Sequence, residues 1–216
     1  MRSERYRPCH HQTARTLALM MLTSMLSAMP GCAQPIVEQP VTREYGGNTS
    51  EAQMDFWHTL AQRPLVSNDN ALHALLLFTD GEDPFDHYDQ RVEELKHRRW
   101  LYDGFDEPAD VAVWRGTIAS ALARILKIKG GLTMRLIGPV PRYAVRELMY
   151  ENILPPSSPR QTFSGTEFLG VIARAEDYQR RQAYLAAQRS QRSPPVESQD
   201  QHESDDATTE NPTDQG

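Results

Sequence analysis

Apolar positions in the middle of the chain recur at intervals of three and four, the spacing of one face of an α-helix. Ser50 and Gln53 form a capping-box pattern ahead of "MDFWHTLAQ". The stretch "NALHALLLF" (70–78) is nearly all apolar, as a buried central helix would be. After the acidic turn "TDGEDPFD", Tyr88, Val92, Leu95 and Tyr102 fall at helical spacing, with Trp100 and Leu101 beside them. After "DGFDEPAD", with Pro108 suited to a first helical turn, Val111, Trp114, Ile118, Leu122 and Ile125 predict a helix reaching about Lys129. "KGGLTMRLIGPVP" reads as a connector, Val145, Leu148 and Met149 as a short amphipathic helix that "PPSSP" ends, and Phe168, Leu169, Val171, Ile172 and Ala175 as the last stripe. No run of period-two alternation competes. The expected fold is all-α, with six main helices taken in pairs.

The pairs resemble one another. Leu95 answers to Leu148 and Trp100-Leu101 to Ile153-Leu154, while Val113, Ile118, Leu122, Ala123 and Arg124 answer to Phe163, Phe168, Ile172, Ala173 and Arg174 at one constant spacing. A first, more compressed pair places Ala71 and Leu75 at the matching positions. One helix-loop-helix of this size cannot bury its own apolar faces, so three units packed about a shared axis are expected, at about 50–79, 86–129 and 141–180 of a domain spanning 50–188.

Composition then changes what surrounds that domain. Arg2, Arg5, Arg7 and Arg15 precede "TLALMMLTSMLSAM", an uncharged run that would reach only about 21 Å as a helix. That is short of a hydrocarbon core of about 30 Å, so residues 1–31 read as a secretory signal. Residues 32–49, with Pro35, Pro40, Gly46 and Gly47, read as a tether. From Ser193 the chain has seven carboxylates and no Lys or Arg, and 189–216 is expected to be a disordered acidic tail. The net charge of −6 resides mostly in that tail and the middle of the chain is close to balanced, which argues against a nucleic-acid partner. Cys9 and Cys32 are the two cysteines, and cleavage at Cys32 leaves a single thiol in an oxidising compartment.

Two segments resemble known families. Met29-Pro30-Gly31-Cys32 resembles the lipobox of bacterial lipoprotein precursors, with Pro30 as a departure from the usual small residue. The resemblance implies an acylated Cys32, a membrane partner held through that lipid, and a location in the cell envelope facing periplasm or exterior. Ordinary cleavage near Ala33, giving a secreted protein, is the alternative. The segment 144–175, "AVRELMYENILPPSSPRQTFSGTEFLGVIARA", resembles an S-layer homology module, with Ser164, Glu167 and Phe168 at the family's Thr, Glu and Phe places and Gly165 where its Arg would stand. In the second unit Arg115 fills the Arg place and Thr117 replaces the Glu. The resemblance implies a pseudo-threefold helical bundle whose grooves hold cell-wall polysaccharide, with Trp114, Arg115 and Glu167 as the ligand-binding residues.

The remaining chemistry is bland. Ser164 with Glu167 also reads as a capping box. Asp80, Glu82, Asp83, Asp86, His87 and Asp89 crowd one loop, but an EF-hand from Asp80 would place Phe85 and Arg91 where Gly and Glu are needed, so the loop reads as a solvated acidic turn. His58, His73, His87 and His97 lack metal-ligand spacing and read as surface or core-edge residues. Trp57, Trp100 and Trp114 suit core anchors, and the latter two, flanked by arginines, also suit the floor of a sugar groove. With no phosphate loop, no nucleophile elbow and no free cysteine nucleophile, neither a catalytic residue nor a cofactor or metal is expected. The function expected is a non-catalytic envelope lipoprotein that binds cell-wall glycan or peptidoglycan. A periplasmic protein-interaction scaffold is the alternative, and an envelope hydrolase, which would need two carboxylates facing across a cleft, the least favoured.

Overall fold

The computed structural model describes residues 34–192, so the signal segment, the lipobox-like residues with Cys32, and the acidic stretch from Ser193 lie outside the described residues. Within that range the protein is all-α: α1 (Thr42–Tyr45), α2 (Ser50–Ala61), α3 (Asn68–Asp80), α4 (Tyr88–His97), α5 (Arg115–Ile125), α6 (Leu132–Ile137), α7 (Pro141–Tyr150) and α8 (Gly165–Arg192). The only β-type pairings among the described residues are isolated bridges. None of these helices is long and apolar enough to cross a membrane.

Local chemistry explains where the helices begin. Thr49, one residue before the expected cap, accepts the Ala52 amide on its hydroxyl, because Ser50 is already helical. Ser67 caps α3 by accepting the Asn70 amide at 3.1 Å. The reciprocal bonds of a capping box form at α8: the Glu167 amide donates to Ser164 Oγ at 3.3 Å and the Ser164 amide to Glu167 Oε2 at 3.0 Å. At α7 Pro141 occupies the first turn, where its missing N–H has no partner to lose.

The ends of α4 and α7 match bond for bond. The amides of Trp100 and Leu101 both donate to the Leu95 carbonyl, at 2.8 and 3.1 Å, and those of Ile153 and Leu154 both donate to Leu148, at 2.8 and 3.1 Å. Arg99 and Asn152, at the intervening turn, each adopt φ of 59°, a left-handed conformation that Asn tolerates better than Arg does. Arg124 then donates to the carbonyl of Trp100 at 3.2 Å and Arg174 to that of Ile153 at 2.7 Å. The two arginines that the sequence aligned thus fasten the same turn.

The main helices do not pack mainly within the pairs expected from the sequence, α2 with α3, α4 with α5 and α7 with α8. α4 lies against α3, α7 against α5, and α2 against α8. Their shared core includes Phe56, Leu60, Leu72, Leu75, Ile118, Leu122, Leu148, Phe163, Phe168 and Val171, all fully buried. The residues two places before α3, α5 and α8, namely Val66, Val113 and Phe163, are each 0 % exposed. They meet through their backbones, the Val66 amide donating to the Phe163 carbonyl at 3.1 Å and the Val113 amide to Val66 at 2.9 Å.

Several expectations are corrected. Residues 34–49 are not a free tether. The Val37 amide donates to Asp110 at 2.6 Å, the Ala112 amide donates to Pro35 at 2.9 Å, and Val41 is buried. The reason is that residues 110–112 run extended beside this segment and need backbone partners of their own. That extended run also corrects the helix expected from Pro108: α5 begins only at Arg115, because 111–114 bond across the chain to Pro35, Val66 and Thr162. The expected connector at 129–141 contains α6. The last helix passes Gln188 and runs to Arg192, since its final turns carry good helix formers such as Ala, Gln and Arg.

Candidate functional site

The seam between the starts of α5 and α8 carries the residues expected to bind ligand. Trp114 is the residue before α5; it is half-buried and bridges Thr162 in antiparallel fashion. Arg115, the first residue of α5, has a side chain 9 % exposed that is saturated from several directions. Its Nε donates to the Thr162 carbonyl and its NH1 to Ser157 Oγ, both at 2.9 Å. Its NH2 pairs with Glu167 Oε2 at 2.8 Å, and the guanidinium stacks 5.0 Å over the Phe163 ring. Arg115 and Glu167 are therefore brought together as partners of each other. Glu167 keeps 46 % of its side chain exposed. The Ser164 amide holds its carboxyl below the usual carboxylate range, and Arg115 adds to this against the opposing effect of burial.

A second seam, between α2, α3 and α8, is an open groove of about 400 Å³. Leu77, Phe78, Leu169 and Ile172 form its apolar wall, with Trp57 beside them and Gln53 and Glu176 at its rim. Trp57 packs edge-on against Phe56, with ring centroids 5.1 Å apart, and so is fixed from behind while lining the groove. Sequence reasoning placed Trp57 in the core alone. Gln53, one turn earlier on α2, donates its Nε2 to the Gly81 carbonyl at 2.9 Å, which leaves its Oε1 without a protein partner among the described residues. Trp100, the other candidate for a sugar floor, lies under the Arg98 guanidinium at 4.9 Å.

The acidic turn holds the largest departure from expectation. Asp83 is buried, not solvated. Its carboxylate takes His73 Nδ1 at 2.5 Å, Arg91 Nε, and the Phe85 amide at 3.0 Å. Arg91 NH1 continues to Asp69 Oδ1 at 2.9 Å, and Asp69 Oδ2 accepts the Thr42 hydroxyl. Burial pushes the Asp83 carboxyl up, but the bonds from His73 and Arg91 outweigh it and hold it below its ordinary value. His73 is correspondingly wholly buried, against its reading as a surface or edge residue, with its ring edge-on to Phe56 at 4.6 Å. Its Nε2 has no hydrogen-bond partner among the described residues. A carboxylate-oriented imidazole is a familiar catalytic pair, but here the free nitrogen faces the core and no substrate can reach it, so the cluster is a fastening.

No group of three or more potential ligands suited to a metal ion occurs among the described residues. Comparison with protein-family models, with curated proteins and with solved structures gives no match. Over the described residues the structure defines an all-α protein with seams between neighbouring helix starts.

Proposed function

We propose that the chain is a non-catalytic lipoprotein of the cell envelope, held to a membrane by an acyl group on Cys32. In this reading its helical body holds cell-wall glycan or peptidoglycan in the seams between three helix-loop-helix units. The single observation that carries the ligand reading is the groove at Trp57. An indole fixed from behind, an apolar wall and a rim that offers the Gln53 carbonyl oxygen and the Glu176 carboxylate match the two-sided chemistry of a sugar ring, whose C–H face stacks on aromatics while its hydroxyls seek polar groups. At the other seam, Trp114 would offer the contact surface, and the Arg115–Glu167 pair would hold it in register.

The three-unit, pseudo-threefold and S-layer-homology-like arrangement is supported by a cycle of bonds. The first residue of α3, Asn68, donates its amide to Val111, four residues before α5 begins. The first residue of α5, Arg115, donates to Gln161, four before α8, and the first residue of α8, Gly165, donates back to Arg63 ahead of α3. The packing of α4 on α3, α7 on α5 and α2 on α8 follows the same cyclic rule.

The test is retention on purified cell-wall sacculi. Trp57→Ala and Trp114→Ala should each lower the bound fraction severalfold, measured well below the melting temperature of each variant, which loses some packing stability. Retention that is equal for parent and both variants, or absent for the parent, sinks the glycan reading. Acyl labelling lost in Cys32→Ser tests the anchor separately. A protein-interaction scaffold is the second reading, favoured by the stretch of α8 beyond Tyr178, where residues 179–187 are all exposed and include Tyr184 and Leu185.

A further inference from the structure

The surface around α6 joins two features that the glycan reading does not use. Leu132, Leu136 and Ile137 are 73, 78 and 63 % exposed, although Met134 between them is buried. Leu132 and Leu136 lie one turn apart, so a short helix turns one apolar edge inward and another to the outside. The chain around it is one-sided in charge: from Val111 to Arg146 there is no Asp or Glu at all. Lys127, Lys129, Arg142 and Arg146 are exposed, and none takes part in a salt bridge among the described residues. The first carboxylate after that span, Glu147, accepts the Gly131 amide at 3.2 Å, which ties the start of α6 to α7 and places the aliphatics beside the cations of α7.

We propose that this face is a membrane-contact surface: Leu132, Leu136 and Ile137 enter the headgroup boundary of an anionic bilayer, and Lys127, Lys129, Arg142 and Arg146 meet its phosphates. A basic rim around exposed aliphatics is the pairing that interfacial helices use, since the cations draw the element to the anionic surface and the aliphatics reward shallow insertion. A soluble polyanion would satisfy the cations but give nothing for the leucines, which is why a bilayer is the occupant that accounts for both. The contact goes beyond the lipid on Cys32, because it would orient the folded body on the membrane where a lipid on a chain terminus only tethers it.

The full chain carrying Cys32→Ser, which cannot be acylated, is mixed with vesicles of phosphatidylglycerol and phosphatidylethanolamine, or of phosphatidylcholine alone. Amide hydrogen exchange is followed at residues 130–138, so that any binding through residues 1–31 does not enter the readout. Exchange there should slow on the anionic vesicles and not on phosphatidylcholine, and salt should weaken the effect. Replacing Leu132→Ser and Leu136→Ser together should lower the apparent affinity of this protection by about tenfold or more, since shallow burial of aliphatics is the term removed. Unchanged exchange on anionic vesicles overturns the proposal. So does equal protection of the parent and the double variant by heparin, which would assign the face to a soluble polyanion.

Discussion

The first residues of α5 and α8 occupy matching places and could hardly differ more. At α5 it is Arg115, whose long side chain fits between Ser157, Thr162, Phe163 and Glu167. At α8 it is Gly165, where a Cβ would stand 1.7 Å from the Leu60 carbonyl oxygen. The cause lies in the helix packed against each start. α2 ends in a tight turn, with the Arg63 amide donating to Leu60 at 3.0 Å, and its last carbonyls press on the start of α8. The segment before α8 instead leaves room for Arg115. The end of α2 therefore excludes a side chain at the seam it shares with α8, and that close approach decides which of the two seams can carry an Arg–Glu pair. At the third such start, the Asn68 amide side chain donates to Pro108 at 2.8 Å, and the next residue, Asp69, is held by Arg91.

The largest break in this comparison should come at the third start. Arg91→Leu leaves the carboxylates of Asp69 and Asp83 without their cation, and removing one partner of a buried network costs about 3 to 5 kcal/mol, readable by urea denaturation. The same cluster sets an acid limb. Because the folded-state value of Asp83 is depressed, its contribution is present above about pH 3.9, the ordinary carboxylate value, and is lost as pH falls through the lower folded value. The melting temperature of Asp83→Asn should start lower and fall less between pH 5 and pH 2 than that of the parent.

Next, Gly165→Ala places a methyl group on backbone that cannot yield as a side chain would, and should cost about 3 kcal/mol, at the upper end of overpacking. If it proves neutral, the crowding by α2 is not what separates the two seams. Arg115→Gly writes one seam into the other; it removes the pair with Glu167 and two hydrogen bonds from a charged group, at a cost of about 2 kcal/mol. The smallest effect belongs to Glu167→Ala, about 1 kcal/mol as a capping loss, because its Arg115 contact is half-exposed. A double-mutant cycle between Arg115 and Glu167 then isolates what their contact contributes.

The helices α3, α5 and α8 were legible in the chain because a three-to-four residue apolar period is a local property, readable without knowing what it packs against. So were the matching turns after Leu95 and Leu148 and the box at Ser164 and Glu167, whose bonds join residues within one turn of each other. The burial of Asp83 and His73 was not legible, since it depends on Arg91, Asn48 and Phe56 arriving from other elements. Nor was the packing of each helix on a neighbour other than its sequence partner. The chain by itself determined that the main helices would form and which of their faces would be apolar. Only the tertiary structure decided that Arg115 would be spent on Glu167, that Gly165 would be the residue admitted beside Leu60, and that residues 34–49 would lie along 110–112. Those outcomes rest on distances between segments far apart in sequence, and no local pattern encodes them.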